Sequence, residues 1–268
     1  MAQPLLHPAC EGWREDLALP TEPPKTVSSL GTLKPNHLDQ IYLETPRTRA
    51  IPRDSYLLMA LCPILTAPAL PFLLSVALTK GDDEASALIY LISIFYIWCI
   101  ALCLKLSFLP PRDEPIRFNR ARQKIYAYKF TYEPWNPFVR WRAVPVAYDW
   151  SQARAERWSQ HSNGRMTFTV GVMLSIIRPG TTKVIDRFHL TTNAADEYAW
   201  AFICSYMQGE PCALVPAQEP DAHNDLRWYQ FPYRLAPKVV WPPEMDLESR
   251  TAPDPEAAVA LDKQSIQH

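Results

Sequence analysis

Glycine is scarce in this chain, with 7 in 268 residues against 27 prolines. Phosphate-cradling loops need glycine where the backbone must approach the ligand closely. No Walker loop, dinucleotide fingerprint or G-x-S-x-G elbow occurs. The six cysteines form no C-x-x-C pair, which removes the common zinc frameworks. Six histidines (His7, His37, His161, His189, His223 and His268) are scattered without a partner at ligand spacing. No metal, cofactor or catalytic residue is therefore expected, and the chain does not read as an enzyme. An excess of one charge is missing too. The formal net charge is -1, and residues 110–212 carry 14 Lys and Arg against 9 Asp and Glu. That basic excess is too small and too dispersed for nucleic acid.

The most informative lack is local. Residues 55–79 and 85–104 contain no charged side chain, and only Lys80-Gly81-Asp82-Asp83-Glu84 separates them. At about 1.5 Å of rise per residue, each run is long enough to cross a hydrocarbon core of roughly 30 Å. The pattern predicts a transmembrane helical hairpin, with a re-entrant or interfacial first segment as the alternative. Pro63, Pro68 and Pro71 should kink or unwind the first helix, because each removes a backbone donor. The freed carbonyls would most simply be satisfied by the second helix. Basic residues flank the outer ends (Arg47, Arg49 and Arg53 before, Lys105 and Arg112 after), and the connecting loop is acidic. Both termini should then be cytoplasmic. Nothing at the amino end resembles an export signal.

Prolines 20, 23, 24, 35, 46 and 52 suggest that residues 1–54 are an extended, proline-rich cytosolic arm without regular periodicity, partly ordered by docking, with residues 38–43 adding one strand or turn to the folded domain. Residues 110–212 carry successive strand signals. Residues 116–120 and 124–130 alternate as a hairpin, and segments 144–148 and 152–158 follow. Asn163-Gly164 marks a turn into a long strand at 166–176, and Pro179-Gly180 leads to a strand at 183–190. Thr191-Thr192-Asn193 then offers a helix cap. Tyr198, Ala201, Phe202 and Ser205 share one helical face, and Gly209 and Pro211 end the segment. The prediction is an α+β membrane protein: a hairpin spanning 55–109, and an antiparallel β meander or barrel over 110–212, closed by one C-terminal helix in the pleckstrin-homology-like manner. Residues 213–268 read as a proline-rich, partly disordered tail.

Two groups of residues invite a binding role. Arg117, Arg120, Arg122 and Lys124 follow the second apolar run closely. They are candidates for acidic lipid, or simply the charges that set topology. Trp135, Trp141, Trp150 and Trp158 are interleaved with Arg140 and Arg142. This is a composition typical of partner-binding hot spots, and equally of membrane anchors or core.

The run Asp113-Glu114-Pro115-Ile116-Arg117-Phe118-Asn119-Arg120, followed by Lys124-Ile125-Tyr126 and Tyr148-Asp149-Trp150, resembles an uncharacterised family of proteobacterial inner-membrane proteins over roughly residues 40–212. Members are often encoded near type VI secretion effectors. The resemblance implies a cytosolic β domain tethered beneath the inner membrane, in contact with membrane lipid. It also implies an immunity or accessory role toward a protein partner such as a toxin or secretion component. A lipid-sensing role is the runner-up.

Overall fold

The computed structural model describes residues 3–22, 35–47, 53–81, 83–133, 135–161, 168–191, 197–209 and 231–253. The Asn163-Gly164 turn, most of the expected cap at 191–193, Pro211 and the acidic end of the tail lie outside them.

The apolar runs form a helical hairpin. Its first limb is divided into α1 (Arg53–Thr66) and α2 (Ala69–Lys80), and the second is α3 (Asp83–Phe108). The break falls at Ala67-Pro68, where proline cannot donate to the preceding turn. Two local hydrogen bonds flank the break. The Thr66 hydroxyl donates to the Cys62 carbonyl at 2.9 Å, and the Leu70 amide donates to that of Ala67 at 3.0 Å. Gly81 ends α2 with a positive φ of 67°, a conformation that a side chain would strain. Both limbs are long and apolar enough to cross a membrane, and only 6% of the most apolar stretch of each is buried. A core helix of a water-soluble domain would be mostly covered.

Two antiparallel sheets make up the rest. One has the order β2-β3-β4-β5-β6, with β2 (His37–Leu38), β3 (Tyr42–Thr45), β4 (Ile116–Asn119), β5 (Lys124–Thr131) and β6 (Arg142–Asp149). The other has the order β1-β7-β8-β9, with β1 (Trp13–Asp16), β7 (Ala153–His161), β8 (Phe168–Ile177) and β9 (Val184–His189). A single turn at Trp150–Gln152 passes the chain from β6 to β7, so the expected meander is present. The expected closed barrel is not. Strands of the N-terminal arm pair with the edges that would have to meet: β3 with β4, and β1 with β7. The arm is thus no irregular appendage. The strand expected near 38–43 is present as β2 and β3, whereas β1 is hard to see in a proline-broken sequence because its ladder is made with residues about 140 positions away.

Helix α4 (Glu197–Gln208) fills the space between the sheets. Its inward residues are Trp200, Ile203, Cys204 and Met207, packed with Phe118, Ile125, Trp150, Leu174 and Phe188. Of the expected face, Ala201, Phe202 and Ser205 are buried and only Tyr198 is exposed, while Trp200, Ile203 and Cys204 widen the buried side around most of the helix. Each fully buried Leu, Ile or Phe here contributes about 1.5–3 kcal/mol of transfer free energy. Gly171 lets β8 run close to the chain entering α4. A Cβ there would sit 2.3 Å from the Thr191 carbonyl oxygen.

The tail also folds back. Helix α5 (Phe231–Leu235) lies against α1 and α3, and α6 (Pro243–Arg250) lies against β4. Trp241, between them, packs on Tyr126 and Tyr128 of β5.

Candidate functional site

The side of β4 and β5 that carries the basic residues is covered by the tail. Alternation along a strand sends every second side chain to the same face, so Arg117 and Asn119 both meet α6. Arg117 is 3% exposed. Its Nε donates to the Glu44 carboxylate, and its Nη1 donates to Asp246 at 2.6 Å and to the Ser249 hydroxyl at 2.8 Å. The guanidinium also stacks over Trp241, 4.6 Å from the ring centroid. Asn119 donates to the Ser249 and Thr251 carbonyls at 3.0 and 3.1 Å. Arg122 donates to those of Thr251 and Ala252 at 2.9 and 3.0 Å. Lys124 pairs with Glu248 at 2.8 Å, and this bond holds the Glu248 carboxyl below its ordinary range. Arg120 points elsewhere, its guanidinium 5.4 Å from the Tyr206 ring.

Beside this contact lies an open cleft of about 510 Å³. Glu44, Arg117, Asp246 and Arg250 supply charge of both signs. Trp241 and Val240 supply apolar surface, and Val240 is 83% exposed. Cavities of this size accommodate ligand or peptide side chains.

The tryptophans expected to act together are separated. Trp150 belongs to the main core, and Trp158 packs with Cys10 and Met173. Trp141 is buried with Phe130 against Leu102 and Leu106 of α3. Of the four, only Trp135 is open to solvent, on the β5–β6 connection with the exposed Arg140, while the exposed Arg142 opens β6.

Sequence reasoning missed two buried ionic clusters. Arg47 and Arg53 read as topology charges, yet both are buried at the base of the hairpin. Arg47 pairs with Glu114 and donates to the Tyr128 carbonyl at 2.7 Å. Arg53 donates to the Pro111 carbonyl at 2.6 Å and lies 4.8 Å from the Tyr233 ring centroid. In the second sheet, fully buried Glu156 accepts from the Ser175 hydroxyl, from Arg187 Nε at 3.1 Å and from the Cys10 amide at 3.1 Å. Burial, followed by the Glu156 charge, pushes the Cys10 thiol up to about 12. No signal in the sequence marks Glu156, because a single acid in an alternating strand looks like any solvated position. Among the described residues no group of His, Cys, Asp and Glu is placed to hold a metal ion.

Residues 93–233 match a family described as a family of unknown function, DUF6708. No curated protein and no solved structure matches the chain.

Proposed function

The chain belongs to the DUF6708 family of unknown function, and we propose that it is a membrane-anchored binding protein. In this reading the hairpin crosses a bacterial inner membrane, and both termini face the cytoplasm. The β unit, an opened variant of the pleckstrin-homology-like arrangement, holds a protein partner at the cytosolic surface. The partner is a toxin or secretion component, toward which this protein acts as an immunity or accessory factor of type VI secretion.

The observation that carries the binding role is the cleft beside Arg117. It joins exposed Val240 to fixed charges of both signs. An open, mixed surface of that kind suits a polypeptide segment better than a uniformly anionic headgroup. The basic residues that would serve acidic lipid weigh the same way, since Arg117, Arg122 and Lys124 are already engaged by the tail.

The test is site-specific photocrosslinking in cells. Benzoylphenylalanine replaces Val240 in the full chain, with the exposed β6 residue Ala147 as control position. A discrete protein adduct from Val240 and none from Ala147 is expected, together with sensitivity to the adducted protein when this gene is deleted. Adducts to lipid alone would favour acidic-lipid sensing, and equal adducts from both positions would overturn the cleft as a binding site.

A further inference from the structure

The β5–β6 connection is fastened to the last turns of α3. Lys105 donates its ammonium to the Pro137 carbonyl at 2.6 Å and to that of Val139, and it lies 4.9 Å from the Trp141 ring centroid. On either side of Lys105, Leu102 and Leu106 pack against Phe130 and Trp141. Lys105 is also the first charge after the apolar run, so it sits where a spanning helix would leave hydrocarbon. Any residue held next to it shares that depth.

What the connection presents at this level is unusual for a water-facing loop. Trp135 is 77% exposed and Phe138 is 78% exposed, with the exposed Arg140 and Arg142 close by in sequence. Neither aromatic packs within the described residues as core. Trp is favoured at the boundary between headgroups and acyl chains, where an apolar ring meets polar surroundings. Arginine beside it can pair with phosphate. Helix α5, which lies against α1 and α3, also exposes Phe231 and Leu235.

We propose that the β5–β6 connection is a membrane-interface anchor, in which Trp135 and Phe138 enter the boundary region of the bilayer while Arg140, and Arg142 at the start of β6, face lipid phosphate. The occupant is lipid because the surface is continuous with the end of the apolar helix. The anchor rests on the membrane-spanning reading of the hairpin. It would hold the β unit flat against the cytosolic leaflet and so fix which way the cleft opens.

The test uses the full chain in phosphatidylcholine–phosphatidylglycerol vesicles whose acyl chains carry bromine, a contact quencher of indole, either near the headgroup or near the bilayer centre. Trp135 is one of nine tryptophans and Trp98 lies within α3, so the variants are Trp135→Phe and Trp98→Phe. Trp135→Phe is expected to reduce the emission lost to shallow bromine and to leave the emission lost to deep bromine unchanged. Trp98→Phe is expected to reduce the deep component. If Trp98→Phe behaves so while Trp135→Phe changes neither component, the anchor is overturned and the hairpin stands. If neither variant changes either component, anchor and spanning hairpin both fall.

Discussion

The Ser107 hydroxyl is shared between the Cys103 carbonyl at 2.9 Å and the Arg53 carbonyl at 3.1 Å, so the penultimate residue of α3 touches the first residue of α1. Arg53 completes the clasp by donating to the Pro111 carbonyl, and Tyr233 of α5 lies against its guanidinium. Polar backbone at the ends of two apolar helices is satisfied inside the protein.

Removing this clasp should loosen the join between hairpin and β unit. Hydrogen bonds to charged groups are worth about 1.5–3 kcal/mol, and a buried acceptor left alone adds its desolvation cost. Arg53→Ala is expected to destabilise by roughly that amount, and Ser107→Ala by about 1 kcal/mol. Thermal unfolding in detergent, with limited proteolysis of residues 108–116 as a local readout, checks both. Equal stability of Arg53→Ala and the native chain would refute the clasp.

The buried carboxylate of Glu156 should matter more than any surface pair. Breaking a buried ion pair by removing one partner typically costs about 3–5 kcal/mol, because the other charge is stranded. Glu156→Ala leaves Arg187 without its carboxylate, with only the Pro8 carbonyl and Ser175 hydroxyl to meet it, and the Cys10 amide without its acceptor. The expected result is a lower unfolding midpoint. Faster amide exchange in β1 and β7 should accompany it, since the segment carrying Cys10 runs into β1. Denaturant unfolding and hydrogen exchange measure the two effects; unchanged exchange in β1 would show that Glu156 does not hold the arm.

Docking of α6 should weaken in acid. The Glu248 carboxyl is held below its ordinary value by Lys124. A depressed folded-state pKa contributes stability that is present above the unfolded value, about 4.3 for Glu. That contribution is lost as pH falls through the lower folded value. Both side chains are partly exposed, so the effect is modest and is screened by salt. Hydrogen exchange of residues 243–250 should quicken as the pH drops below about 4, and Glu248→Gln should abolish that extra acid dependence. Exchange that stays flat in the native chain would discount the pair.

The parts of this molecule legible in the sequence were those built from local pattern. Uncharged runs gave the two apolar limbs, and alternation gave β4, β5 and most of β6 to β9. Of the three prolines expected to kink the first limb, Pro68 marks the break, whereas Pro63 lies within α1 and Pro71 within α2. Contacts between distant segments were not legible. Trp13 belongs to a strand only because Trp158 pairs with it, and although a strand near Tyr42 was legible, its partner Asn119 was not. The same blindness affected the candidate site. Arg117 looks free beside an apolar helix, and nothing near it announces that Asp246 and Ser249, some 130 residues later, will meet its guanidinium. Trp135 and Trp141 are six residues apart and chemically alike, but only one of them packs against α3.

Pairing of Thr45 with Ile116, across β3 and β4, imposes a rule of parity. Whatever route the chain takes between these two positions, it must set out from and return to the same compartment. An odd number of bilayer crossings is incompatible with a completed ladder. Because β3 precedes the hairpin in the chain and β4 follows it, the ladder can close only once the whole hairpin has been made.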